Sequence, residues 1–510
     1  MSEIFKNFLT NAQRNPDRDA LIIEGARLSY AELRNNVLRI CCELRKRGVK
    51  PGDKIGVQLP NCQEFVELML VAAAMGAALI PLNPGLPPDA TALAFKLAGV
   101  KHVVALPFPM KALQDKFECM GLRIAVGGAS TGGIVDWSFL RNGELQQEMT
   151  VESDSYDDHY YIFSMTSGST GTPKPIVLTQ KTKYLRAMAA IALYGVTSDD
   201  TVLIATPLYH TLAERLVIMP LITGATMVIM PHFSAAEWLN RVGGDRISFS
   251  IAVSSQLKAI ARLLSGPSDH NLDSLRCLVS SSALLEPQDK KELIGKLKCD
   301  FHECYGTSEI AIATNINFEE SRTKVNSVGK AIPGVDVAIV NDAGKFCKPG
   351  EPGEIICRTP MLFSGYYQMP EKTRATMSDG YFHTGDVGCL DPEGYLYFLS
   401  RKKDIIITGG INVYPPDVEK VVMQADGVEA CAAFPVPDAQ LGETVGVALV
   451  MAVGAHPNIR ALRFLCAEQL ADYQIPHYFV EVDQLPVNAM GKIVKYKLSE
   501  IFIEKRKSAL

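Results

Sequence analysis

The chain has 510 residues, 47% apolar and 21% charged, with a net charge of −5. At about 100–200 residues per domain, that length implies several domains with substantial cores. The composition excludes a disordered tail, a collagen-like fibre and a disulfide-stapled miniature, and it shows no overall basic footprint for nucleic acid.

Taken along the chain, helical and strand patterns alternate. Ser29-Tyr30-Ala31-Glu32 reads as a capping box. Apolar residues follow at Leu33, Val37, Ile40, Cys41 and Leu44, one face of a 3.6-residue period, and Gly48 ends the helix. Strand-like runs appear at Lys54–Leu59, Leu79–Leu82, Val103–Leu106, Thr201–Ala205, Ala225–Met230, Phe249–Val253 and Leu275–Ser280. Helical segments separate most of them, which is the rhythm of a parallel sheet covered on both faces. After about residue 325 the texture changes. Val335–Val340, Gly353–Arg358 and Gly394–Leu399 are short alternating strands with Gly/Pro turns. A compact α+β pattern follows the basic stretch Arg401-Lys402-Lys403-Asp404. The predicted fold class is α/β. A large N-terminal domain of parallel and mixed sheets (1–400) includes a small antiparallel, barrel-like subdomain at 325–400. A small mobile α+β domain (401–510) comes after it.

The twelve cysteines are scattered and include no CxxC pair, so they read as free thiols in a reducing compartment. The N-terminus has no secretory pattern. The longest uncharged apolar stretches, Leu68–Leu82 and Leu216–Pro231, are shorter than the ~18–20 residues of a spanning helix. A cytoplasmic location is the expectation.

The most informative segment is Ser164-Met165-Thr166-Ser167-Gly168-Ser169-Thr170-Gly171-Thr172-Pro173-Lys174. From Thr166 to Gly171 it holds only hydroxyl residues and glycines. Glycines let the backbone expose N–H groups, hydroxyls add donors and Lys174 adds charge, a combination suited to polyphosphate. Neither the GxxxxGK[ST] loop nor the GxGxxG fingerprint is present. Gly127–Gly133 is a similar small-residue run and is read as an ordinary turn.

Further motifs accompany this loop in order: Pro207-Leu208-Tyr209-His210, Tyr305-Gly306-Thr307-Ser308-Glu309, Gly380-Tyr381-Phe382-His383-Thr384-Gly385-Asp386, Arg401-Lys402-Lys403-Asp404 with Gly409-Gly410, and Leu485-Pro486-Val487-Asn488-Ala489-Met490-Gly491-Lys492. Together they resemble the signatures of the adenylate-forming superfamily, which includes the AMP-dependent acyl- and aryl-CoA synthetases. The resemblance covers essentially the whole chain. It implies two half-reactions. A carboxylate attacks the α-phosphate of ATP to give acyl-AMP and pyrophosphate, and a thiol then displaces AMP.

The resemblance also implies roles. Thr166, Ser167, Gly168, Ser169, Thr170, Gly171 and Lys174 would hold the phosphates. Tyr305 would stack on adenine, Gly306 and Thr307 would line the ATP site, and Ser308 would touch a phosphate oxygen. Glu309 would ligate Mg²⁺, a hard cation that takes carboxylate and phosphate oxygens. Asp386 and Arg401 would bind the ribose. Lys492 would bridge the attacking carboxylate and the α-phosphate as negative charge gathers there. Lys403 matches the hinge position, and Gly409 and Gly410 would line the CoA channel. His210 would gate an acyl pocket lined by Ser254, Ser255, Ser281, Ser282 and Cys304. Pro175, Gln180 and Ser400 depart from the common pattern without removing a charged group.

The expected reaction is AMP-forming ligation of a fatty or aromatic acid to CoA. Loading of a carrier-protein phosphopantetheine and a non-catalytic ATP- or acyl-AMP-binding regulator are the alternatives. Glu214 and Arg215 are unusually charged for the helix after His210. The expected partners are the acid, ATP with Mg²⁺, and CoA. No nucleic-acid or membrane-spanning role is expected, and the chain is expected to act as a monomer or homodimer.

Overall fold

In the computed structural model the described residues are 1–128, 133–145, 155–167, 173–266, 270–282, 285, 287–487 and 493–508. They fall into two compact units, residues 1–336 with 357–382, and residues 337–356 with 383–510.

The first unit is built on two sheets. Nine strands run in the order Lys330–Ala331, Ala311–Asn317, Asp300–Thr307, Cys277–Ser281, Phe249–Val253, Thr201–Ile204, Thr226–Ile229, Asp19–Ile23 and Ala26–Ser29. From Asp300–Thr307 across to Asp19–Ile23 every pair is parallel. The second sheet has seven strands, in the order Ile134–Asp136, Arg123–Ala125, His102–Ala105, Lys54–Gln58, Ala78–Pro81, Tyr160–Ser167 and Pro173–Thr179. The short apolar runs of the sequence are these strands, because a parallel strand covered on both faces needs no polar alternation.

Helices cover the sheets for identifiable reasons. Ser29 caps Tyr30–Lys46 by accepting the Glu32 N–H at 3.2 Å, and the Glu32 carboxylate accepts the Ser29 N–H at 2.8 Å. The helix buries Leu33, Val37, Ile40, Cys41 and Leu44. Helix Gln63–Met75 is buried on every side from Phe65 to Met75 and forms part of the main core. Its one buried acid, Glu67, takes hydrogen bonds from Asn36, Gln63, Trp137 and Arg141.

The second unit contains most of strand Tyr381–Leu390, from His383, paired antiparallel with Leu396–Arg401, and a C-terminal sheet. That sheet runs Ile411–Val413, Ile406–Thr408, Gly442–Met451, Val428–Asp438, with Tyr478–Glu481 parallel to Gly442–Met451. Val418, Val422, Val445, Val447, Leu449, Leu462 and Cys466 form its core. All twelve cysteines are free. Among the described residues no helix is long and apolar enough to cross a membrane.

A buried ion pair joins two helices of the first unit. Lys183 on Gln180–Tyr194 reaches Glu214 on Thr211–Thr223 at 2.5 Å, with side-chain exposures of 2% and 0%. Desolvation opposes such a pair, and only mutual attraction offsets it. Removing either partner alone is expected to cost about 3–5 kcal/mol in urea unfolding. The double change Lys183→Met with Glu214→Leu is expected to recover most of that loss.

Candidate functional site

In open α/β sheets, ligands bind at the carboxyl ends of the strands. At that edge of the nine-stranded sheet, three buried hydroxyls lack a hydrogen-bond partner: Thr206, Ser280 and Thr307. Ser280 and Thr307 lie on the adjacent strands Cys277–Ser281 and Asp300–Thr307, and Thr206 lies just past Thr201–Ile204. A buried polar group without a partner is costly, so orphans gathered on one edge point to a bound polar group.

The segment Tyr305–Glu309 is held at this edge. Strand Asp300–Thr307 pairs antiparallel with Ala311–Asn317, and the register shifts between Tyr305 and Gly306. A Cβ on Gly306 would lie 1.7 Å from the Ala311 carbonyl oxygen, so only glycine fits. Tyr305 is buried. Beyond the strand, Arg186 fixes the chain path. Its Nη1 donates to the Ser308 carbonyl at 2.9 Å, its Nη2 to the Glu309 carbonyl at 2.7 Å, and its Nε to the Met361 carbonyl at 3.0 Å. The Phe363 N–H donates to the same Glu309 carbonyl at 2.8 Å. Arg186 is 4% exposed, and burial, then neighbouring Arg215, disfavours its charge. Sequence reasoning missed Arg186, whose burial has no local signal.

The Glu309 carboxylate accepts the Tyr366 hydroxyl at 3.1 Å. Burial first, then the Glu309 charge, keeps that phenol protonated. Lys174 lies close to Lys372 and feels Glu309. Burial, then the neighbouring Lys372 ammonium, lowers its pKa, and Glu309 opposes the shift. Two adjacent ammonium groups repel, and a polyanion between them would relieve that repulsion. Lys372 is an additional cation that the motifs did not indicate.

These residues fit ATP with Mg²⁺. Paired ammoniums suit phosphate oxygens, and the Thr307 hydroxyl lacks a partner that a nucleotide could provide. Mg²⁺ keeps several waters and needs only one or two carboxylates. Glu309 provides one. No cluster of three or more His, Cys, Asp or Glu side chains forms a closed metal cage among the described residues.

The predicted acyl-pocket residues divide. His210 is the N-cap of helix Thr211–Thr223, and its ring lies 4.5 Å from that of Tyr209. Asn61 steadies the turn before it. Its amide donates to the Thr206 and Met230 carbonyls, and its Oδ1 accepts the Leu208 N–H at 2.7 Å. The Ser281 and Tyr194 side chains lie near the Cys304 thiol, which burial keeps protonated. The structure therefore brings Ser281 and Cys304 together and adds Tyr194. Ser254 is buried at the start of helix Ser254–Leu264, whereas Ser255 is exposed. Ser282 adopts φ 78°, a left-handed conformation that favours glycine.

The hydroxyl-rich segment joins an antiparallel hairpin, in which Thr166 pairs with Lys174 and Ser167 with Pro173. Gly168, Ser169, Thr170 and Gly171 lie outside the described residues, as do the side chains of Thr166 and Ser167. Pro175 is tolerated because Pro173–Thr179 ends its sheet. Its carbonyl accepts the Tyr367 N–H at 2.9 Å. Gln180 is fully buried and reaches toward the Ala72 and Ala73 carbonyls.

In the second unit, Asp386 and Arg401 are cross-strand neighbours, with Arg401 Nε 3.1 Å from Asp386 Oδ1. Asp386 is buried, and Ser400 is buried beside Arg401. Lys403 is exposed on the short 3₁₀ turn Lys402–Asp404. Gly409 and Gly410 join the hairpin strands Ile406–Thr408 and Ile411–Val413 with φ 58° and 84°. Two positive φ angles in a two-residue loop are a strong reason for a glycine pair. Lys492 lies outside the described residues. On either side of it, Val487 bridges Ile493, and the Val494 N–H donates to the Pro486 carbonyl at 2.7 Å.

A sheet edge furnished this way is a nucleotide-binding edge. The chain belongs to the AMP-binding enzyme family, whose model matches residues 8–367, and the AMP-binding enzyme C-terminal domain matches residues 417–492. It is similar to a feruloyl-CoA synthase of Amycolatopsis sp, 30% identical over 503 residues that cover 96% of this chain and 97% of that one. It is also similar to a long-chain-fatty-acid–CoA ligase of Bacillus subtilis, 27% identical, covering 98% of this chain and 94% of that one. Among solved structures, it resembles the o-succinylbenzoate CoA synthetase of Bacillus subtilis in complex with its acyl-adenylate intermediate. That match has a TM-score of 0.86 and 27% identity, with 96% of this chain and 97% of that chain covered.

Arg186 acts on the site through backbone carbonyls. Arg186→Met is expected to destabilise by at least about 2–3 kcal/mol, the scale for stripping buried acceptors of a charged donor. It is also expected to lower kcat more than it raises the KM for ATP, with partial rescue by Arg186→Lys. Steady-state kinetics beside urea unfolding checks both.

Proposed function

We propose that the protein is an AMP-forming acid–CoA ligase acting on a fatty or aromatic carboxylic acid. The observation that carries this reading is the Lys174–Lys372 ammonium pair beside the pinned Glu309 carboxylate, at the edge bearing the Thr307 hydroxyl. In the first half-reaction a carboxylate oxygen of the acid bonds to the α-phosphorus, and the bond to pyrophosphate breaks. In the second, the CoA sulfur bonds to the acyl carbon and AMP leaves, with the thiol proton released.

Lys174 and Lys372 hold phosphate oxygens. Bound Mg²⁺ neutralises charge on the phosphates. Glu309 would hold it, and the Arg186 contacts keep the chain at Glu309 in position. Tyr305 offers a ring for adenine, and Asp386 with Arg401 offers the ribose an acceptor and a donor. Lys492 contributes a mobile cation to the gathering negative charge, since such reactions depend on positioning and charge neutralisation. His210 gates the acid pocket. Residues 401–510 act as a lid that turns at Lys403 between the half-reactions, with Gly409 and Gly410 beside the CoA arm.

Acid-dependent AMP release is the direct test, run with CoA, with a holo-carrier protein and with neither. Rapid turnover with CoA is expected. Turnover with the carrier alone would replace the CoA reading, and no AMP with any acid would leave only a binding protein. Lys492→Ala is expected to slow adenylation by about 10²–10³-fold, the scale for losing a key transition-state donor. Thioester formation from supplied acyl-AMP is expected to survive. Asp386→Ala is expected to raise the KM for ATP, and an unchanged value removes Asp386 from the ribose site.

A further inference from the structure

The helix that follows the gate residue carries an arginine with no evident partner. Arg215 lies on Thr211–Thr223, one turn beyond Thr211 and next to Glu214. Its Nη1 is buried and has no hydrogen-bond partner. Among the described residues no carboxylate lies within ion-pair distance of it. The neighbouring acid, Glu214, is already committed to Lys183 at 2.5 Å.

The groups around Arg215 cannot satisfy it. Lys183 and Arg186 face it from helix Gln180–Tyr194, and both feel its positive charge. Tyr194 and Cys304 also feel its charge, and burial keeps both protonated and neutral. Three cations, Lys183, Arg186 and Arg215, thus share the region with the carboxylates of Glu214 and Glu309. A buried guanidinium nitrogen without an acceptor is unfavourable, and adjacent cations make it more so.

Its position indicates what completes it. Cys304 immediately precedes Tyr305 and feels the Arg215 charge, and Ser281 lies on the neighbouring strand, so Arg215 is near the predicted acid-side residues. The phosphate side already has Lys174 and Lys372. Helix Thr211–Thr223 starts at His210, and five residues of helix advance about 7.5 Å, so Arg215 is set back from the gate by part of the length of a small acid.

Resting on the ligase reading, we infer that the substrate is a carboxylic acid bearing a second carboxylate, and that Arg215 binds this distal carboxylate while the first is activated. A guanidinium fork matches a carboxylate in shape and charge. A monoacid of the same length would leave the guanidinium unpaired on binding, and a site built around a polar partner rejects ligands that lack it.

The test uses the full-length enzyme with ATP and CoA. Acid-dependent AMP release is measured for straight-chain and aryl diacids, their monomethyl esters and matched monoacids. The ester keeps the shape and removes only the distal charge. At least one diacid is expected to exceed its own monoester in kcat/KM by about a hundredfold or more. Arg215→Met is expected to raise the KM for that diacid by about tenfold or more, leave the KM for ATP unchanged and erase the preference over the ester. Arg215→Lys is expected to restore part of it. Turnover of monoacids and monoesters as good as that of every diacid overturns the inference and leaves the ligase reading intact. No AMP with any acid overturns both. If Arg215→Met does not fold, the wild-type preference decides alone.

Discussion

A guanidinium group has five donors and no acceptor, so burying one obliges the fold to bring acceptors to it. Arg186 meets this demand with backbone. The Ser308, Glu309 and Met361 carbonyls all point at one side chain from a helix far away in sequence. Ser308 and Glu309 follow the end of a strand, and neither sheet ladder nor helix would otherwise satisfy these carbonyls. Because the acceptors are main-chain atoms, the contact sets where the chain runs and leaves the Glu309 carboxylate free to meet Tyr366. The magnesium ligand implied by the sequence is thus presented from a turn that a buried cation fixes from behind.

The same helix serves the other side of the site. Lys183 turns to Glu214, Arg186 to the Ser308–Glu309 turn, and Tyr194 to Cys304 and the Asn315 amide oxygen. Helix Gln180–Tyr194 is therefore a link between the Ser308–Glu309 turn and the region of Glu214 and Cys304. Its position is held by packing and charge together: Ala187, Ala190 and Tyr194 lie in the main core, while Lys183 and Arg186 take a carboxylate and carbonyls as partners. This also explains why a chain of net charge −5 can bind anions. Exposed acids are screened within about 10 Å, whereas the buried cations act at short range and in low dielectric.

Much of the fold was legible because its signals are local. Parallel strands show as short apolar runs, and the Ser29–Glu32 box marks a helix start within four residues. The motif residues Lys174, Glu309, Asp386 and Arg401 were legible as types in order. The cations of helix Gln180–Tyr194 were not. Lys183 is buried only because Glu214 lies 31 positions on, and Arg186 only because carbonyls more than 120 positions away converge on it. Nothing beside Lys183 and Arg186 in the sequence marks either cation as buried. Lys372 was hidden for the same reason. The glycine pair 409–410 shows the opposite risk. A motif suggests a channel, while the hairpin with two positive φ angles already accounts for both glycines.

The separation of the two sides has a consequence for specificity. Glu309 is held by Arg186 and Tyr366, and Lys174 with Lys372 lies near it. Arg215 and Ser281 sit on other elements, and Cys304 lies on the strand that leads to Glu309. A change at Arg215 therefore leaves the carbonyl contacts of Arg186 in place and even removes a like charge beside it. Buried charge usually limits what a core can vary, because every unpaired group is costly. Under the proposed reading, the unpartnered Nη1 of half-buried Arg215 would be met by a ligand carboxylate, and its cost would become a preference for one class of acid.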